Sequence, residues 1–411
     1  MKNFLVCALL AVSFQAVCQS VPADHQAIRG IIDARSWNFN DQKLALTGEW
    51  AFFQNNIIQP ADSTQPKGEF YPFPKIWDPS VQYGTYQLMV LLPESSGMAI
   101  EFPQMYCSYE CQVNGKKIAA NGKVGTSKES TTPQWLPQVV SINNTTDSLL
   151  ITLQISNFYH FKGGSKEPLY LGTTAMLNGQ HTLGIQSSLI ESIGLALLGI
   201  AFVLIYYLRE ERKKITFYFS LLCFSWALRS VFSNLYVFTS FFPDFDWNTM
   251  IRIEYLTLYL TMIWAILFLS RLFPAESSKT IKYVLVTANI GFIALTIIAP
   301  PLFFTQWLNV FLGVAAMLMV FSGWIVIRAW INERSGVRYI LVCIFLSIAL
   351  FAYDIFIFEG FFHAYNALFF SIGYLLMFIL MGVSLLYHLR IFKGDGSSGM
   401  LTFDDLYGKE R

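Results

Sequence analysis

The sequence predicts two parts, a β-sandwich or jelly-roll domain followed by an all-α bundle of seven transmembrane helices. Three observations carry the prediction. Hydrophobic residues make up 54% of the 411 residues and charged residues only 13%, with 37 phenylalanines, a balance that points to a membrane protein. The first part of the chain alternates short β-branched and aromatic runs with turn signals. The second part is built of seven apolar stretches, each long enough to cross a hydrocarbon core of about 30 Å as a helix. The net charge of +1 supplies no field for nucleic acid, which is excluded as a partner.

Residues 1–18 read as a secretory signal peptide: Lys2 gives the positive start, "FLVCALLAVSF" the apolar core, and Ala16-Val17-Cys18 the small-residue cleavage site. The mature chain then begins near Gln19, outside the cytoplasm; "FQAV" fits a lipoprotein attachment at Cys18 poorly. Residues 21–178 form the β domain, with strands expected in "GEWAFF", "GTYQLMVLLP", "MAIEF", "CQVNGKKIAA", "SLLITLQIS" and "LYLGTTAML". Asn114-Gly115 marks a hairpin, because both turn residues must take positive φ. Pro60, Pro66, Pro72, Pro74, Pro79, Pro133 and Pro137 fall between the runs, where loops require them. Cys107 and Cys111 lie four apart, about 13 Å along a strand, too far for a disulfide unless a bulge intervenes.

The seven spans are Ile185–Leu208, Ile215–Phe238, Met250–Phe273, Tyr283–Phe304, Trp307–Ile327, Tyr339–Phe358 and Ala367–Leu389, within a bundle of residues 185–389. The first, third and fifth connections hold the basic residues: Arg209, Arg212, Lys213 and Lys214, then Arg271, Lys279 and Lys282, then Arg328, Arg334 and Arg338. The intervening loops "TSFFPDFDWNT", "APPLFFTQ" and "EGFFHAYN" contain neither Lys nor Arg. The positive-inside rule therefore sets the β domain outside and the short tail, residues 390–411, in the cytoplasm.

This plan resembles the bacterial seven-transmembrane receptors with diverse intracellular signalling modules. The resemblance rests on "LTGEWAFF", "GTYQLMVLLP", "VNGKKIAANGKVGTSKESTTPQWLPQVV", "ISNFYHFKGGSKEPLYLG", "RIEYLTLYL" and the seven-span pattern. The β domain is also similar to the galactose-binding-like jelly roll that precedes the catalytic barrel in family 2 glycoside hydrolases. The resemblance implies a periplasmic sensor of carbohydrate-like ligands, coupled through the bundle to a cytoplasmic signalling module. No such module follows in this chain, so the output would pass to a signalling protein in trans.

The densest polar chemistry of the β domain lies in "GKVGTSKESTTPQWLPQ" and "SNFYHFKGG". Trp135, Tyr159 and His160 offer faces for stacking on a sugar ring, and Asn157, Lys162, Lys128 and Glu167 offer hydrogen bonds. Gly163-Gly164 allows close backbone approach. The competing reading is of packed loops closing one end of the sandwich, with Trp135 as a plug. Catalysis finds no support: Glu129 and Glu167 have no carboxylate partner of the kind glycoside hydrolysis needs, no metalloprotease or nucleophile-elbow motif occurs, and the five histidines are scattered. No metal or cofactor is expected. "GDGSSG" at 394–399 matches the spacing of a dinucleotide loop, but only 12 residues follow it, so no βαβ unit can form. It reads as a flexible break before a peptide carrying Leu401, Phe403, Leu406 and Tyr407.

Charges inside the spans are costly and therefore informative. Arg229 and Asp354 are expected at similar depth, about 21 and 22 Å from the cytoplasmic ends of their helices, and are expected to pair. Arg252, Glu254 and Glu191 sit toward the outer ends. Together Arg229, Asp354, Arg252 and Glu254 are candidates for a polar coupling site beneath the β domain. The reading that follows is a sensor of the bacterial inner membrane, with a carbohydrate-like small molecule or glycan outside and a signalling protein inside. It leaves room for a homodimer. The alternative is an envelope scaffold whose β domain docks another protein or glycan and transmits nothing.

Overall fold

Apolar and polar side chains alternate along the central strands, which are buried on both faces, and the apolar face of the larger sheet packs against a second sheet. The computed structural model describes residues 25–389 apart from 59–68, 94–96, 143–146, 210–212, 234 and 359–366; the signal segment and the tail lie outside the described residues. The strands are β1 Ile31–Asp33, β2 Leu44–Ala45, β3 Gly48–Gln54, β4 Glu69–Phe73, β5 Lys75–Trp77, β6 Tyr83–Leu91, β7 Met98–Phe102, β8 Ser108–Val113, β9 Lys116–Asn121, β10 Gln138–Ile142, β11 Ser148–Ser156, β12 Gly163–Ser165 and β13 Tyr170–Thr173. The larger sheet has the order β4-β3-β6-β11-β8-β9, with β1 parallel to β6; the second has the order β10-β7-β13-β2. Trp50, Tyr86 and Leu153 from the first meet Ile100, Phe102 and Leu171 from the second in one core.

The other face of the larger sheet is polar. Gln87, Thr152 and Gln112 lie side by side in register, all buried, and the neighbouring Gln154 and Thr85 bond to the backbone of Ile58 and Asn56. The Asn114-Gly115 hairpin forms as expected, with φ of 49° and 76°. Pro72 departs from expectation, because it sits within β4. β4 is an edge strand, where a residue lacking an N–H breaks no ladder.

The helices are α1 Thr174–Leu208, α2 Lys214–Phe232, α3 Val237–Phe241, α4 Trp247–Leu272, α5 Lys279–Ile298, α6 Pro301–Thr305, α7 Leu308–Ile331, α8 Val337–Phe358 and α9 Ala367–His388. Six of them are long and apolar enough to cross a membrane, and α8 contributes a shorter apolar stretch, Val337–Leu350, among the described residues. Their surface is inverted relative to a soluble bundle. On α1, Ile190, Ile193, Leu197, Ile200 and Leu204 are exposed along one stripe, while Glu191 is buried on the other side. Only a lipid environment makes that arrangement favourable.

The three boundaries that differ most from the sequence expectation do so for local reasons. The run "TAML", expected in a strand, opens α1, because the Thr173 hydroxyl caps the helix by accepting from the Met176 N–H. The second span stops at Phe232, and the chain turns through Tyr236 at a φ of 46°. The fourth stops at Ile298, just before Pro300 and Pro301, which cannot supply the N–H groups a continuing helix needs. α1 runs on from β13 without a linker, and its 35 residues span about 52 Å. That is longer than a hydrocarbon core, and its first turns pack on β7, β10 and β13.

Candidate functional site at the domain junction

Two loops of the β domain reach the near end of the bundle. The first, after β9, is closed by a pair of backbone bonds between Lys123 and Thr132 (2.8 and 3.0 Å) and braced by Ser127 and Ser130. It delivers Gln134 and Trp135. The second, after β11, is organised by one side chain: Asn157 Nδ2 donates to the carbonyls of His160 (2.7 Å) and Lys162 (2.8 Å), and its Oδ1 accepts from the His160 N–H.

These loops clamp onto the bundle. The Trp135 ring lies 4.9 Å from Tyr236, 5.5 Å from Trp247 and 6.0 Å from His160. Gln134 Nε2 donates to the carbonyls of Pro243 (2.6 Å) and Phe245 (3.2 Å), and the Phe161 N–H donates to Thr305 Oγ1 (3.1 Å). Trp135 and His160 are only 2% and 6% exposed. As placed, neither offers a free face to a sugar ring. Burial is also the chief reason that the His160 imidazole is held down to about 4, with the nearby Lys162 ammonium adding to the effect.

The other expected ligand-binding residues divide. Tyr159 stays at the junction, with its hydroxyl donating to the Lys128 carbonyl (2.9 Å) and the Lys128 ammonium 5.4 Å over its ring. Asn157 is a loop organiser. Lys162 gives its backbone to Asn157 and to His160, whose Nδ1 lies 3.0 Å from the Lys162 N. Glu167 is not brought to this group; its carboxylate lies 4.0 Å from Lys166 Nζ, beside Lys43 and Glu101 of the sandwich. Gly164 does allow a close backbone approach, but the strand that approaches is β5: a Cβ there would stand 2.4 Å from the Lys75 carbonyl.

Between the first loop, Tyr159, and the segments 243–248 and 300–302 lies a cleft of about 870 Å³. Its lining includes Lys128, Tyr159, Asp244, Trp247, Asn248 and Leu302.

Beside it stand the charges of the helix ends, half-buried for Arg229, Arg252 and Glu254 and buried for Glu191. Tyr236 Oη lies 3.4 Å from both carboxylate oxygens of Glu254, and the Glu254 carbonyl accepts from Arg229 Nη1 at 3.2 Å. Arg252 is spent on the end of α5: its guanidinium donates to the carbonyls of Thr296, Ile297 and Ala299. The side chain of Asp354 lies outside the described residues, so the expected pair with Arg229 does too. Glu191 accepts from Trp226 Nε1 at 2.9 Å, joining α1 to α2. Among the described residues, no group of three His, Cys, Asp or Glu could hold a metal ion.

Tyr236, Trp247 and Gln134 were missed by the sequence reading. Trp247 had a signal, an aromatic at the membrane–water boundary of a span; the partnership of Tyr236 with Trp135 is set by a left-handed backbone that no local motif announces.

Cys107 and Cys111 are both unbridged and buried. Burial pushes the Cys107 thiol up to about 12 and raises Cys111 as well. Because the thiolate is the reactive form, neither should react with iodoacetamide at pH 8 in the folded protein. Mass spectrometry should find adducts on both only after denaturation, and native labelling would mean that the sandwich opens readily.

Residues 189–388 match the family described as 7TM diverse intracellular signalling. Among curated proteins, none matches the chain. Solved structures with partial likeness include a glycosyl hydrolase family 2 member from Bacteroides cellulosilyticus (12% identity, TM-score 0.26, covering 32% of this chain and 20% of that one). A β-glucuronidase from Ruminococcus gnavus gives 12% identity and a TM-score of 0.25, over 32% of this chain and 29% of that one. A β-galacturonidase from Eisenbergiella tayi gives 14% and 0.23, over 32% and 24%. The chain thus spans less than a third of the length of these structures.

Proposed function

We propose a function for a chain that belongs, through residues 189–388, to the 7TM diverse intracellular signalling family: it is a multi-pass membrane sensor that passes a change at its β domain through the helices. The ligand is a carbohydrate-like molecule, the β domain is periplasmic, the bundle lies in the inner membrane, and a separate cytoplasmic protein receives the signal.

One observation carries this reading: a continuous line of contacts from the β domain to the bundle interior. It runs from Trp135 to Tyr236 (4.9 Å), from Tyr236 to the Glu254 carboxylate (3.4 Å), and from the Glu254 carbonyl to Arg229 (3.2 Å). A mere tether would need only the covalent link at α1. The far end has a matching set of contacts between turns. Arg209 Nη1 donates to the Leu389 carbonyl (3.4 Å), Ser384 Oγ to the Gly336 carbonyl (2.9 Å), and Asn332 and Arg334 to the Glu276 carboxylate (3.2 and 2.7 Å). That end is the surface a cytoplasmic partner would read.

Tyr236→Phe tests the line, since it keeps the ring against Trp135 and removes only the hydroxyl facing Glu254. In lipid nanodiscs, amide hydrogen exchange in the far turns, residues 274–278 and 332–336, should quicken several-fold. Unchanged exchange there, with local change around Tyr236 alone, would favour the scaffold reading, in which the β domain docks and transmits nothing.

A further inference from the structure

We infer that the junction cleft takes an amphipathic ligand presented by the membrane itself: a hydroxylated, net-neutral head group enters the cleft while its apolar tail stays in the leaflet beneath the β domain. This rests on the sensor reading and names where its ligand binds and from which phase it comes.

The position of the cleft is the first ground. One wall is β-domain loop, with Lys128 and Tyr159; the other wall and floor are Asp244, Trp247, Asn248 and Leu302, at the ends of membrane helices. A ligand there touches both halves of the protein at once, so its binding energy can shift one against the other.

The rim is the second ground. Phe241, Phe242, Leu302 and Phe303 are 61%, 57%, 47% and 45% exposed. Side chains of this size are driven out of water, so a row of them at this level lies in the interfacial layer of the bilayer. The apolar rim therefore continues the lipid-facing surface up to the mouth of the cleft, and a tail need not leave the membrane for its head to enter.

The lining selects the head. Of its four charged side chains, Arg252 is committed to the carbonyls ending α5, and Asp246 accepts from the Thr249 N–H and hydroxyl as the cap of α4. Lys128 and Asp244, one of each sign and both exposed, remain to meet a ligand. A head of strong single charge would meet attraction from one and repulsion from the other. A polyhydroxylated head can accept from the ammonium and donate to the carboxylate, with the Tyr159 ring beside its apolar face.

The test uses the full chain in nanodiscs with Leu302→Cys carrying a polarity-sensitive naphthyl dye. The position is exposed, so folding is spared, and the described native cysteines are buried, so labelling is selective. Three probes are added below micelle-forming concentration: dodecyl maltoside (head and tail), maltose (head alone) and dodecylphosphocholine (tail with another head). The expected result is a saturable spectral shift with dodecyl maltoside alone, its midpoint raised about tenfold by Lys128→Ala or Asp244→Ala, the loss of one charge-assisted hydrogen bond. An equal response to maltose would overturn the membrane route and leave a soluble ligand. An equal response to dodecylphosphocholine would overturn the choice of a hydroxylated head, and midpoints that ignore both substitutions would mean plain partitioning and no site. None of these failures touches the sensor reading, which stands or falls on the exchange experiment with Tyr236→Phe.

Discussion

Replacing Trp135 by alanine is expected to destabilise the folded chain by about 3–5 kcal/mol, the largest effect of any single substitution at the junction. The indole is 2% exposed and packs on Tyr236, Trp247 and His160 at once. Its removal leaves a cavity bounded by two separately folded layers, neither free to collapse into it. Among the described residues its Nε1 has no hydrogen-bond partner, so the loss is one of packing, and Trp135→Phe should cost much less than Trp135→Ala. Thermal unfolding in nanodiscs, followed by near-ultraviolet circular dichroism, measures both. A change below about 1 kcal/mol for the alanine variant, within the range of ordinary surface substitutions, would show that the ring does not join the two parts.

The second large effect depends on pH. His160 titrates at about 4 in the folded protein against 6.5 when free, chiefly because burial disfavours the cation. The unfolded chain therefore takes up the proton first as the medium is acidified. The stability contributed by the neutral, buried ring is complete above pH 6.5 and is lost as pH falls toward 4, with nothing further to lose below that. That lowering corresponds to about 3 kcal/mol. Urea unfolding of the full chain in nanodiscs at pH 7, 6, 5 and 4 should show this decline, and His160→Gln should flatten it. Equal slopes for the two proteins would mean that His160 is hydrated or already charged.

Much of this molecule is written locally. The strand runs, the Asn114-Gly115 turn and the apolar helices each depend on a periodicity or a turn geometry that a few neighbouring residues fix; the structure places the strands and the turn as expected, and among the described residues six of the seven expected spans are long and apolar enough to cross a membrane. Errors fell at boundaries where one residue outvotes a pattern: the Thr173 cap that starts α1 early, the prolines that end α5, and Pro72 on its edge strand. The candidate site was harder. The sequence singled out the loops around Trp135 and Tyr159, since aromatic and amide side chains crowd there beyond what a turn needs. It could not say what those side chains face. Trp135 and Tyr236 are a hundred residues apart, and their contact follows from how α1 carries the bundle beneath the sandwich and from the left-handed turn at Tyr236. An aromatic ring bears the same chemistry whether it meets a sugar or another ring. Composition and spacing thus determined that this is a membrane protein with a β domain, and where its busy loops lie. The tertiary structure alone decided that those loops are docked on the bundle, because burial is a property of the partner surface and is encoded nowhere in the loop itself.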